Sequence, residues 1–142
     1  MERIFNNAIT VEATIQAPLA KVWECYTTPE HIIRWNAASE DWHTPSAEND
    51  LREGGKFSYR MEARDGSMGF DFWGIYDQVV PMEIIEYTMG DGRKARVLFS
   101  GSEAGTRVTT TFEAEQENSA ELQQAGWQAI LDNFRKHVES TR

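Results

Sequence analysis

Apolar residues recur three and four positions apart through SAELQQAGWQAILDNFRKHVEST, from Ser119 to Thr141, and this spacing predicts a long helix. Ser119 is placed to cap its start, Glu121 falls in the first turn, and no proline interrupts it. At about 100° per residue, Leu122, Gly126, Trp127, Ala129, Ile130, Leu131, Phe134 and Val138 share an arc of roughly 200°, wider than the ~100° stripe of an ordinary surface helix. A helix with so broad an apolar face requires a concave partner. Asn133 and His137 fall inside the same arc, so each needs a hydrogen-bond partner or a cavity in front of it. Gln124, Gln128, Asp132, Arg135 and Lys136 take the other side.

Upstream the period changes to two. Ile9, Val11, Ala13, Ile15 and Ala17 alternate with Thr10, Glu12, Thr14 and Gln16, as in a strand with one buried face. Pro18 then stands where a helix can begin, and LAKVWECYTT continues with Val22, Trp23 and Tyr26 at helical spacing. Pro29 ends that helix and opens a second, PEHIIRW, because proline is tolerated in a first turn but not inside. From Asn36 to Gly55 no period is sustained, although DWHTPS can supply a short strand; so long a connection is usually functional or poorly ordered.

Alternation resumes with Phe57, Tyr59, Met61 and Ala63, followed by a turn over 64–67 in which Asp65-Gly66 favours left-handed conformations. The next strand, GFDFWGIYDQVV, is aromatic on both faces. We take Phe70, Phe72 and Tyr76 as inward, with Gly74 a candidate bulge that can exchange them for Trp73 and Ile75. Three further strands present Ile85, Tyr87 and Met89, then Ala95, Val97 and Phe99, then Val108, Thr110, Phe112 and Ala114 on one face. The order is strand, two short helices, about six strands, one long helix: an α+β chain whose antiparallel sheet wraps the helix and leaves a cavity between them.

A length of 142 residues suits one domain spanning residues 1–142, with a core large enough to need neither metal nor disulfide. With 14 Lys plus Arg against 23 Asp plus Glu, the net charge of −9 repels phosphate backbones and anionic membranes, so no nucleic-acid partner is expected. The single Cys25 excludes an intramolecular disulfide. No apolar run approaches the ~18 residues of a membrane span, so membrane insertion is not expected. MERIFNNAIT lacks the apolar segment of a secretory signal, which makes a cytoplasmic location the expectation.

The segments APLAKVWECYTTPEHIIRW, DLREGGKFSYRM, DGSMGFDFWGIYDQVVP, GTRVTTTF and GWQAILDNFRKHVE, in that order and spacing, resemble the bacterial single-domain members of the activator-of-heat-shock-chaperone-ATPase homologue family. That family belongs to the START-like helix-grip superfamily, and the resemblance covers nearly the whole chain. It implies a helix-grip fold, a curved antiparallel sheet of about six to seven strands around the long C-terminal helix, with a pocket closed by the two short helices. Carried over by position, Trp35 ends the second short helix at the pocket mouth and Trp127 stands in the Gly-Trp pair of the long helix. Many relatives have a second Trp followed by Gly-Pro after the Trp35 position, where this chain reads WNAASEDWHTP. The eukaryotic co-chaperone of the family has a separate N-terminal chaperone-binding domain, whereas this sequence opens on its first strand; direct stimulation of the chaperone ATPase is therefore not the expected role.

Candidate chemistry is sparse. Cys25, among Val22, Trp23 and Tyr26, reads as a small buried hydrophobe. His31, His43 and His137 are far apart in sequence and lack metal-ligand spacing, so neither a metal nor any other cofactor is expected. The expected function is binding of a small hydrophobic or amphipathic molecule in the internal cavity, lined by Trp35, Trp42, His43, Met61, Phe72, Tyr76, Trp127, Ile130, Asn133, Phe134 and His137, with Asn133 or His137 as polar handle. Two other classes stay open. One is a co-chaperone-like module that binds a chaperone or other protein. The other is a cyclase- or hydrolase-type enzyme in the same cavity, for which Asp71, if inward and buried, is the one plausible general base.

Overall fold

Inward-facing residues at every second position of seven strands define a single antiparallel sheet, seen in a computed structural model that describes residues 7–141. The MERIFN stretch, read above for its lack of a secretory segment, lies outside them. The strands are β1 (Ala8–Ile15), β2 (Trp42–Asn49), β3 (Lys56–Ala63), β4 (Gly69–Val80), β5 (Ile84–Met89), β6 (Lys94–Ser102) and β7 (Gly105–Glu113). Their order across the sheet is β1-β7-β6-β5-β4-β3-β2. Two short helices, α1 (Leu19–Thr27) and α2 (Pro29–Trp35), follow β1, and α3 (Ala120–Ser140) follows β7. The sheet curls around α3 as a half-barrel, which is the helix-grip arrangement.

The expected buried faces of β1, β5, β6 and β7 are those observed: Val11, Ile15, Ile85, Tyr87, Met89, Ala95, Val97, Phe99, Val108, Thr110 and Phe112 are all buried. In β4, Phe72 and Tyr76 face inward while Trp73 and Ile75 face out; Phe70 follows the inward phase but stays 47% exposed near the hairpin end. Gly74 is not a bulge. It pairs regularly with Phe57 and Met89, and the register shift lies one turn of the pleat later, between Tyr76 and Gln78. What Gly74 supplies is room, since a Cβ there would lie 2.7 Å from the Phe57 ring and 2.8 Å from the Thr88 carbonyl oxygen. The short strand expected over DWHTPS is present and longer than expected: it is β2, an edge strand that runs on to Asn49. Its Pro45 removes a donor, and the register shift between His43 and Ser46 blunts the edge.

From Gly126 onward the apolar arc on α3 turns to the protein as expected, with Leu131, Phe134 and Val138 buried and Trp127, Ala129 and Ile130 half-buried. The first turn departs from the pattern. Leu122 is 60% exposed and Gln123 is 8% exposed. Gln123 accepts from the Glu115 amide (2.8 Å) and donates to the carbonyls of Glu115 (3.1 Å) and Asn118 (2.9 Å), stapling the β7–α3 loop. A buried side-chain amide with every bond made is worth more there than another aliphatic group. Ser119 caps the helix by accepting from Leu122 N at 3.1 Å. Gln124 and Gln128, on the other side of the helix from the apolar arc, donate to the Thr10 and Glu12 carbonyls at 3.3 and 3.1 Å, which binds α3 along the free edge of β1.

Two substitutions test this account. Gln123→Leu is expected to cost about 1–3 kcal/mol in urea unfolding, because Glu115 N–H and C=O lose their partner, while Leu122→Lys stays within about 0.5 kcal/mol. Gly74→Ala forces Phe57 off its position against a fixed backbone oxygen and is expected to lower stability by about 1–3 kcal/mol in the same measurement.

Candidate functional site

Three consecutive strands, β3, β4 and β5, turn tyrosines and phenylalanines toward α3, and the space between them is not filled. A cavity of about 370 Å³ remains. Its walls include Phe57, Tyr59 and Met61 from β3, Phe72 and Tyr76 from β4, Ile85 and Tyr87 from β5, and Trp127, Ile130 and Leu131 from α3. Tyr26 of α1 and Trp35 of α2 close one end. Trp127 lies flat on Phe112, with centroids 3.9 Å apart and planes within 9°, and meets Phe72 edge-on at 6.3 Å. Edge-to-face contacts at 4.9–5.4 Å join Phe57 to Tyr87 and Tyr26 to Phe99 and Phe134, so much of the wall is ring against ring.

The polar atoms on this wall are few. Tyr76 donates to Asn49 Oδ1 at 2.5 Å, and Asn49 Nδ2 donates to the Thr27 carbonyl at 2.7 Å, which ties β4 and β2 to the end of α1. Arg93 reaches the cavity from the β5–β6 turn, held by Asp91 (2.7 Å) and the Glu113 carbonyl (3.1 Å). Burial pushes the phenols of Tyr26, Tyr59, Tyr76 and Tyr87 up, so all four stay protonated at neutral pH.

Of the residues expected at the site, Trp35, Met61, Phe72, Tyr76, Trp127 and Ile130 line this cavity. Trp42, Asn133 and His137 line a separate, wider groove of about 750 Å³ outside α2, which Trp35 also touches. Asn133, expected as polar handle, instead donates to the Ala37 carbonyl at 2.6 Å. Phe134 is fully buried behind the wall, against Trp35 (4.9 Å) and Tyr26 (5.2 Å). His43 sits on the edge strand, 3.9 Å from Glu62, and lines neither space. Asp71 points to the outer face, 59% exposed and 3.6 Å from Arg60, so it is not the buried base considered above. Tyr26, Tyr59, Tyr87, Asn49 and Arg93 were not nominated. Tyr59 and Tyr87 carried a usable signal, their inward phase on β3 and β5; Asn49 and Arg93 carried none.

The histidines are not all apart. His31 Nδ1 and His137 Nε2 are 2.9 Å from each other, and with Cys25 Sγ their donor atoms lie within 4.8 Å. A thiolate and two imidazoles are zinc-type donors. Here the direct His–His hydrogen bond occupies the nitrogens that would ligate an ion, and Lys21 and Arg34 lie close enough to disfavour positive charge. Burial, followed by His31, Arg34 and Lys21, lowers the His137 pKa below its ordinary 6.5. The unfolded chain therefore binds a proton near pH 6 that the folded chain resists, and stability is lost as pH falls from above 6.5 toward the lowered value. Thermal melts are expected to show a lower midpoint at pH 5.5 than at pH 7.5, and His137→Gln to flatten that difference.

A family model described as Activator of Hsp90 ATPase homolog 1-like protein matches residues 16–139. The solution structure of an AHSA1-like protein from Aeromonas hydrophila is 45% identical, with 94% of this chain and 92% of that one covered and a TM-score of 0.89. A protein from Cytophaga hutchinsonii is 50% identical over 94% of this chain and 93% of its own, with a TM-score of 0.82. At 22% identity, a protein from Chromobacterium violaceum shares the fold, covering 96% and 100% with a TM-score of 0.82. No curated protein matches the chain.

Proposed function

This chain belongs to the Activator of Hsp90 ATPase homolog 1-like family, and from that premise we propose that it binds a small hydrophobic or amphipathic molecule between α3 and the concave face of the sheet. The observation that carries this reading is the unfilled space of about 370 Å³ behind a ring-lined wall. Ligand sites of this kind are concave and mostly apolar, with a few polar groups that orient the guest. Binding would be driven by removal of apolar ligand surface from water, at about 25 cal/mol per Å². Trp35, Met61, Phe72, Tyr76, Trp127 and Ile130 are the wall residues through which the guest would be held.

A protein-interaction role is the second reading. It is favoured by the ATPase activator in the family's name and by Trp73 and Ile75, which stand 38% and 36% exposed on the convex side of β4. The enzyme reading lost its one named base when Asp71 was found facing solvent. Among the described residues no helix is long and apolar enough to cross a membrane.

Substitution inside the cavity separates the first two readings. Ile130→Phe adds volume where the guest would sit and leaves the convex face untouched. For a guest present at a hundred times its dissociation constant, thermal shift is expected to report about 2.7 kcal/mol of stabilisation in the parent protein and almost none in Ile130→Phe. A protein partner captured equally by both would support the interaction module instead.

A further inference from the structure

Four phenols meet at the cavity, and they are not equivalent. Tyr59, Tyr76 and Tyr87 come from neighbouring strands, Tyr76 directly opposite Tyr87 in the register, and Tyr26 reaches in from α1. Tyr76 is spent on Asn49, and the Tyr59 hydroxyl is turned toward that of Tyr76. The hydroxyls of Tyr26 and Tyr87 make no hydrogen bond to any described residue, and since no buried side-chain oxygen among the described residues lacks a partner, both stand open to the cavity that their side chains line. A hydroxyl open to the cavity and not engaged by the protein is available to donate to, or accept from, a guest.

From this placement we propose that the cavity selects flat, uncharged aromatic ligands carrying a hydroxyl or carbonyl oxygen, and that Tyr26 and Tyr87 are the groups that recognise that oxygen. The inference rests on the ligand-binding reading above and narrows it. Flatness follows from the walls, where Phe57 and Phe72 present rings and Trp127 is pinned against Phe112, leaving flexible aliphatic chains less contact than a ring system. Neutrality follows from the charges. The cation on the wall, Arg93, is already engaged by the Asp91 carboxylate, and Glu115 adds a negative group to the same lining. A carboxylate or phosphate guest would be desolvated with no uncommitted cation to receive it. A neutral oxygen needs none, since each protonated phenol donates to a carbonyl and also accepts from a hydroxyl.

The test uses three probes that share one ring system: naphthalene, 2-naphthol and 2-naphthoate, titrated into the full chain at pH 7 and followed by backbone amide shifts in NMR. 2-Naphthol is expected to bind at least tenfold more tightly than naphthalene, and 2-naphthoate more weakly than 2-naphthol. In Tyr26→Phe/Tyr87→Phe the advantage of 2-naphthol over naphthalene is expected to shrink to within about twofold while naphthalene binding persists, because only the hydroxyls have been removed. Equal binding of naphthalene and 2-naphthol by the parent protein overturns the inference and leaves the cavity reading standing. So does a preference for 2-naphthoate, or a preference for 2-naphthol that survives both substitutions. Failure of all three probes to bind the parent protein overturns the cavity reading itself. The comparison among probes in the parent protein decides the matter even if the double variant does not fold.

Discussion

The fold depends on how α3 is fastened to one edge of the sheet. A curled sheet that does not close leaves the carbonyls and amides of its outer strand without partners. Here that strand is β1, and α3 supplies what it lacks: Gln124 and Gln128 donate to the Thr10 and Glu12 carbonyls, and Glu139 accepts from the Gln16 amide at 2.9 Å. These contacts run from one end of the helix to the other and fix its distance from the sheet. Near the fastened edge Val11 of β1 and Val108 and Thr110 of β7 face inward, and the helix packs close, with Trp127 stacked on Phe112 of β7. Over β3 to β5 it stands farther off, and Trp127 reaches across only at the Phe72 ring of β4, 6.3 Å away. The cavity is the geometric remainder of an edge satisfied on one side only.

The residues that bound that remainder are large, which is the opposite of what space-filling would suggest. Rings resist deformation in a way that aliphatic side chains do not, and a wall built from them holds its shape without content. Phe57 sits at the middle of this wall, in contact with Tyr59, Phe72, Tyr76 and Tyr87. It reaches that position because Gly74 opposite it has no side chain. One glycine on β4 thus lets an aromatic ring lie along the sheet instead of standing into the cavity.

Much of this architecture was legible in the chain because it is periodic. Alternation gave the phase of β1, β5, β6 and β7, and the broad arc of α3 announced a concave partner. What escaped was set by pairwise hydrogen bonds, which leave no period. Gln123 is buried where Leu122 was expected, because its amide bonds the β7–α3 loop. β2 was legible only as a short strand over DWHTPS inside a long connection, since Pro45 and a register shift break its alternation. His31 and His137 lie 106 positions apart, and nothing local links them. The site was legible to the same degree. Met61, Phe72, Tyr76, Trp127 and Ile130 follow from strand and helix phase, whereas His43 and Asn133 were nominated for polarity, and their places in the fold are decided by other partners, Glu62 and the Ala37 carbonyl.

The distribution of polar bonds around the cavity also bears on how a guest would reach it. On the side of the short helices the closure is polar. Trp35 Nε1 donates to the Cys25 carbonyl at 2.9 Å, Thr44 donates to the Asn36 carbonyl at 2.6 Å, and the His31–His137 pair bridges α2 to α3. Opening there would strand buried donors and acceptors, each at a cost of about 1–3 kcal/mol. On the side of the β3–β4 hairpin, Met61, Phe70 and Phe72 face Trp127 and Ile130 across the cavity, and Phe70 is already half-exposed. Contacts between apolar groups can separate by small displacements without leaving an unpaired polar atom. The two ends of the cavity therefore differ in kind: polar bonds close it at the short helices, and apolar contacts alone close it at the hairpin.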